Sequence, residues 1–161
     1  MQPKLLLKRS FYFFVFLAVA WVVNACASNK PETAITTLQQ EVRNAEQRFA
    51  NTMANRDFAE FQTFIASDAI FFSGDDALKG RQRIAYAWRA FFANPQAPFS
   101  WRPDIVEVLS SGELALSSGP VYDPAGKQIG RFNSIWRRTT RRTWEVVFDR
   151  GSDVCGCAEK Q

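Results

Sequence analysis

The spacing of apolar residues changes period once along this chain, near residue 100. Before that point they recur every three or four positions; after it they alternate. Ile35, Leu38, Val42, Ala45, Phe49 and Met53 define one face of a long amphipathic helix that ends near Asn55 and Arg56. Asp57 then reads as an N-cap with Glu60 as its capping-box partner. Phe58, Phe61, Phe64 and Ile65 supply the stripe of a short second helix. Ser67 and Asp68 read as a break, "AIFFS" as a strand and "GDDALKG" as a loop. A third helix is expected over residues 81–93, with Ile84, Trp88, Phe91 and Phe92 on one face.

Beyond the switch, strands are expected at residues 101–109, 114–122, 128–138 and 143–149. Pro103 implies an edge or a bulge, since it donates no ladder hydrogen bond. Asp123-Pro124-Ala125-Gly126 suits a type I turn. Three helices followed by a run of antiparallel strands make an α+β domain, with the helices on one side of the sheet. No internal repeat is visible.

The first 25 residues belong to a different class. Lys4, Lys8 and Arg9 precede an apolar run from Phe11 to Val23, and small or polar residues lead to Cys26. That is the layout of a secretory signal peptide, and the run is shorter than the ~20 apolar residues a spanning helix needs. Val23-Asn24-Ala25-Cys26 resembles a bacterial lipoprotein junction, with Asn24 in place of the usual small apolar residue. The resemblance implies acylation of Cys26 after cleavage. Ala27 and Ser28, with no Asp after the cysteine, imply the outer membrane, facing the periplasm. The expected division is a cleaved signal over 1–25, a lipidated tether over 26–34, a folded domain over 35–153 and a tail over 154–161.

Charge and composition then exclude several functions. The chain has 20 Lys+Arg against 16 Asp+Glu, and three of the basic residues leave with the signal. The remaining near-neutral balance gives no warrant for a nucleic-acid partner. With no histidine, Ser-His-Asp and Cys-His catalysis and His-based metal sites are excluded. Proton transfer falls to carboxylates, Tyr, Lys or Cys. No cofactor and no metal set is expected.

"ALKGRQRIAYAWRAFF", "YDPAGKQIGRFNSIWRR" and "TWEVVFDRGSD" together resemble the nuclear transport factor 2-like superfamily, in particular its SnoaL-like group catalogued as domain of unknown function 4440. The resemblance covers residues 36–153. It implies a cone of the cystatin-like type, in which a strongly curved antiparallel sheet wraps three helices around a pocket; a homodimer is the expected assembly. The superfamily contains isomerases, cyclases, dehydratases, binding proteins and assembly modules, so the fold alone assigns no activity.

Candidate residues follow from chemistry. Asp149 ends the last strand beside Val147 and Phe148, where burial would raise its pKa toward that of a useful base. The opposing reading pairs it with Arg150 or another nearby arginine, or has it cap a turn. The isomerase trio of Asp, Tyr and protonated Asp has no residue-by-residue match, because neither Tyr86 nor Tyr122 lies on the first helix. Enzymatic activity is therefore left open beside binding and assembly. Trp88, Trp101 and Tyr122 are candidates to line a pocket for a small apolar or amphipathic ligand, and each is equally suited to an ordinary core. Arg131 and Asn133, two apart on one strand, are candidates to orient a ligand carbonyl or carboxylate. The "RRTTRR" hairpin at 137–142 reads as a solvated turn or as a contact for anionic lipid. Cys155 and Cys157 are open to a strained bridge, an inter-subunit bridge or a tail without chemistry.

Overall fold

A computed structural model of the chain describes residues 30–154. The signal segment, Cys26, Cys155 and Cys157 lie outside the described residues. Helix α1 spans Lys30–Ala54, five residues earlier than its apolar stripe suggests, and covers part of the expected tether. Pro31 is tolerated there because the first-turn N–H groups have no intrahelical acceptor. Leu38, Val42, Ala45, Phe49 and Met53 are buried, as the periodicity requires.

The chain turns at Arg56, which holds a left-handed φ of 62°. Its guanidinium donates to the carbonyls of Met53 at 2.9 Å, Asn94 at 2.9 Å and Phe91. These bonds offset a conformation unusual for a residue with a Cβ, and they tie the end of α1 to the segment after the third helix. Asp57 Oδ1 accepts from Glu60 N at 2.8 Å and so caps α2, Phe58–Thr63. The return half of a capping box is replaced, because Asp57 N donates to Thr52 O at 2.8 Å.

Strand β1 (Ile65–Ser73) turns through Gly74 into β2 (Asp76–Lys79). The expected break at Ser67 and Asp68 is an irregular part of β1 itself, where its register against its neighbour shifts between Ile65 and Ile70. Helix α3 spans Arg81–Trp88 and tightens into a 3-10 turn over Arg89–Phe92 instead of remaining α-helical to residue 93. Pro95 follows closely, and residues just before a proline are disfavoured in the α region.

The rest is sheet: β3 (Ser100–Trp101), β4 (Ile105–Val108), β5 (Leu114–Tyr122), β6 (Gln128–Arg138) and β7 (Trp144–Asp153). The strand order is β2-β1-β7-β6-β5-β3, with β4 also on β5. All pairings are antiparallel except β1 with β7, which run parallel. Pro103 separates β3 from β4, two short pieces along the same edge of β5. Gly119 lies between the two pairings, and a Cβ there would come within 1.9 Å of Arg102 O. The turn at Asp123 forms as expected, with Gly126 N donating to Asp123 O at 3.0 Å.

The concave face of the sheet packs against α1. Its core includes Phe49, Met53, Phe61, Ile65, Phe71, Ile84, Trp136 and Val146. Phe49 stacks on Phe61 at 5.0 Å and meets Trp101 and Trp136 edge-on.

Candidate functional site

The register of β5, β6 and β7 builds the site. Ser117 pairs with Ser134, and Ser134 pairs with Asp149, so three polar side chains form a row across the concave face. Asp149 joins this row because of a β-bulge. Val146 opposes Trp136 and Phe148 opposes Ile135, leaving Val147 as an extra residue. Strict alternation from Val146 would turn Phe148 inward and Asp149 outward. The bulge reverses this, so Phe148 is 45% exposed and Asp149 faces in. Re-aiming a side chain in this way is a usual effect of a bulge.

Ser134 Oγ donates to Asp149 Oδ2 at 2.8 Å. Above the row, α1 contributes Glu46, which has no exposed surface. Its two oxygens accept separate indole N–H groups, Trp101 Nε1 on Oε1 and Trp136 Nε1 on Oε2, each at 2.8 Å. One carboxyl thus joins the helix to β3 and β6.

Burial raises the Glu46 pKa above its ordinary value, against the opposing pull of Trp101, Trp136, Ser117 and Ser134. Burial also pushes Asp149 up to about 7; the Ser134 hydroxyl pulls the other way and the Glu46 charge adds to the rise. Asp149 keeps some accessible surface, and that surface opens into a cavity.

The cavity holds about 310 Å³. Its wall takes Phe49 from α1, Phe72 from β1, Leu78 from β2, Ala87 and Trp88 from α3, Trp101 from β3, Val121 from β5, Phe132 from β6 and Asp149 from β7, with Phe91 and Phe99 from the α3–β3 connection. Asp149 is the one ionisable side chain among the lining residues. Of the residues singled out from sequence, Trp88, Trp101 and Asp149 therefore meet around one space. Asp149 forms no ion pair among the described residues, and its partner is the Ser134 hydroxyl.

Tyr122, Arg131 and Asn133 are not among the lining residues. Gly130 and Phe132 take the concave side of β6, so Arg131 and Asn133 point to the opposite side. There Arg131 pairs with Asp104 and donates to Ser118 Oγ, and Asn133 Oδ1 accepts from the same hydroxyl at 2.9 Å. Tyr122 is held by Arg102, which donates to its hydroxyl at 3.2 Å and lies 5.5 Å from the ring centroid. In the arginine hairpin, Arg137 pairs with Asp68 at 2.7 Å and Arg138 with Glu41 at 3.5 Å, while Arg141 and Arg142 are exposed. No group of three or more His, Cys, Asp or Glu side chains converges as a metal site among the described residues.

Glu46 and Ser134 were not singled out from sequence. Glu46 has a legible signal. Val42, Glu46, Phe49 and Met53 are spaced four, three and four apart, so an acid sits within the buried stripe. Ser134 has none, because a serine on a strand is compatible with either face.

Three helices packed on one face of a curved, mostly antiparallel sheet give the nuclear transport factor 2-like, or cystatin-like, fold. Solved structures share the fold. An NTF2-like protein from Pseudomonas putida KT2440 is 20% identical, with 73% of this chain and 87% of that chain covered and a TM-score of 0.60. A proposed dehydratase of the NTF2-like family from Streptomyces avermitilis is 18% identical, with 75% and 99% covered and a TM-score of 0.61. A ketosteroid isomerase-like protein from Erwinia carotovora atroseptica SCRI1043 is 14% identical, with 72% and 95% covered and a TM-score of 0.57. Comparison with curated proteins gave no match. The profile of the SnoaL-like domain matches residues 42–154, and the chain belongs to that family.

Proposed function

We propose that this domain binds a small apolar or amphipathic molecule in the cavity, with Asp149 as its polar contact. The observation that carries this reading is an aromatic-walled space of about 310 Å³ whose one ionisable lining residue is a carboxyl. Mostly apolar walls with few convergent polar groups are the usual form of a small-molecule site. Ala87 is exposed at the rim, so Ala87→Trp should obstruct the cavity without disturbing the core. Compounds that raise the melting temperature of the wild-type protein should fail to do so for this variant. If no compound from a broad library binds the wild type, the reading is lost.

A second reading is favoured by the Asp149 pKa of about 7. A carboxyl that exchanges its proton near neutral pH, at the wall of an apolar cavity, suits general acid–base catalysis of the isomerase, cyclase or dehydratase kind. The descriptions of two similar structures, one a proposed dehydratase and one ketosteroid isomerase-like, agree with it. On any substrate that turns over, Asp149→Asn should lower kcat by about 100-fold or more; unchanged turnover would remove Asp149 from that role.

We also propose that acylated Cys26 holds the domain at the outer membrane on its periplasmic side, as a homodimer. The basic, apolar and small-residue zones before Cys26 support the anchor. Cys26→Ser should move the protein from the membrane to the soluble fraction. Retention in the membrane would argue against lipidation.

A further inference from the structure

The two inward carboxyls share an unusual feature. Glu46 is bonded to two neutral indole donors and Asp149 to a neutral hydroxyl. The ion pairs among the described residues join Arg81 to Glu145, Arg131 to Asp104, Arg137 to Asp68 and Arg138 to Glu41, all elsewhere. No Lys or Arg lines the cavity. Buried carboxylates are ordinarily paired with a cation or kept neutral by a proton. Here Asp149 lines the cavity, Glu46 is buried next to it on α1, and neither carboxyl forms an ion pair among the described residues.

The walls add a second attraction of the same sign. Phe49, Trp88, Phe91, Phe99 and Trp101 surround the space, together with Phe72, whose ring already carries the Arg150 guanidinium 5.3 Å from its centroid. Aromatic faces attract a cation within about 6 Å of the ring centroid, most strongly when the cation is desolvated. A carboxylate ligand would meet repulsion from Asp149 with no donor cation to offset it. Indole and phenyl rings are not ligands for a hard metal ion, so the wall suits an organic cation.

We propose that the cavity takes a small organic cation, an alkylammonium or arylalkylammonium, whose positive charge is the counter-ion of Asp149. This rests on the reading of the cavity as the ligand site and names its ligand class. At about 310 Å³ the space equals that of about ten water molecules at their liquid volume, which suits a single substituted amine. Glu46 acts as a positioning residue. Its two indole hydrogen bonds fix the Trp101 ring in the wall.

Binding a permanent cation requires ionised Asp149. The groups facing that carboxyl are the Glu46 carboxyl from α1 and the Ser134 hydroxyl from β6. The lining residues Phe72 and Ser73 from β1, and Ala87 and Trp88 from α3, carry no charge, and the nearby cation, Arg150 on β7, lies over the Phe72 ring and forms no ion pair with Asp149. With Asp149 titrating at about 7, the affinity for such a cation should be nearly constant above pH 8 and fall about 90-fold from pH 8 to pH 5.

The test uses the full chain in detergent and three probes: benzyltrimethylammonium, its neutral isostere neopentylbenzene, and phenylacetate. At pH 8 the cation should bind at least about tenfold tighter than the isostere, and phenylacetate should bind weakest. Lowering the pH should weaken the cation alone. Asp149→Asn should abolish both the pH dependence and the preference for charge, and Asp149→Glu should restore them in part. If the isostere binds as tightly as the cation at pH 8, or the cation's affinity is independent of pH, the cation proposal is overturned while the cavity remains a ligand site. If none of these probes nor a wider library binds, the functional reading fails with it.

Discussion

At neutral pH Asp149 is close to the midpoint of its titration, because burial favours its uncharged form. The linkage sign follows from that direction. An acid whose folded pKa lies above its unfolded value costs nothing when protonated in both states, below about 4. It costs progressively more as pH rises, and the full amount above about 7. From a rise of about three units, the cost is about 4 kcal/mol at most. The raised Glu46 acts in the same direction. The empty domain should therefore lose stability as pH rises from 4 to 7. Asp149→Asn keeps an oxygen for the Ser134 hydroxyl, so it should flatten this slope and stabilise the protein at pH 8. Urea unfolding across that range is the measurement, and an unaltered slope would show that Asp149 is not the group responsible. Asp68 works in the opposite sense, since its hydrogen bond to Arg137 lowers its pKa. An exposed pair of that kind is worth about 1 kcal/mol or less and does not mask the effect. The sequence showed Asp149 as an acid among apolar neighbours, and Glu46 was present in the same stripe that marked the helix. Arg131 and Asn133 looked equally suitable, but spacing by two says only that they share a face and not which face.

Elements show where periodicity stops being informative. The helical stripes and the switch to alternation located the helices and the long strands, because burial of one face dictates both patterns, but the mostly exposed β2 was expected as a loop and β3 and β4 as one strand. The bulge at Val147 was not legible, since Trp144 to Asp149 also reads as a regular strand and the extra residue is set by pairing with β6. The parallel contact of β1 with β7 was hidden for a related reason: short strands carry no record of their partners. Edge geometry rests on Gly119, where the Arg102 carbonyl occupies the place of a side chain. Gly119→Ala should therefore destabilise the domain by about 3 kcal/mol, toward the upper end for an overpacked site, and should displace Trp101 along with β3. Chemical denaturation with tryptophan fluorescence would record both effects. A variant as stable as the wild type would mean that β3 and β4 shift away freely.

For the whole molecule, the SnoaL-like family and the α+β cone were legible from turn residues and element order, which depend on backbone requirements more than on chemistry. The ligand was not legible, because it depends on which side chains converge after folding. Element order has a further consequence in the parallel joint. β7 is the last strand among the described residues, yet it lies between β1 and β6. Until synthesis reaches it, β1–β2 and β3–β6 are separate pieces, each lacking the partner that closes the core. Domains that can fold from their N-terminus begin during synthesis; this one has to wait for β7. Stalled chains ending before Trp144 should be cut readily by protease, and completed chains should resist it. A resistant stalled chain would show that the core closes without β7. For a domain proposed to act on the far side of a membrane from where it is made, a closing strand this late leaves the core open through most of its synthesis.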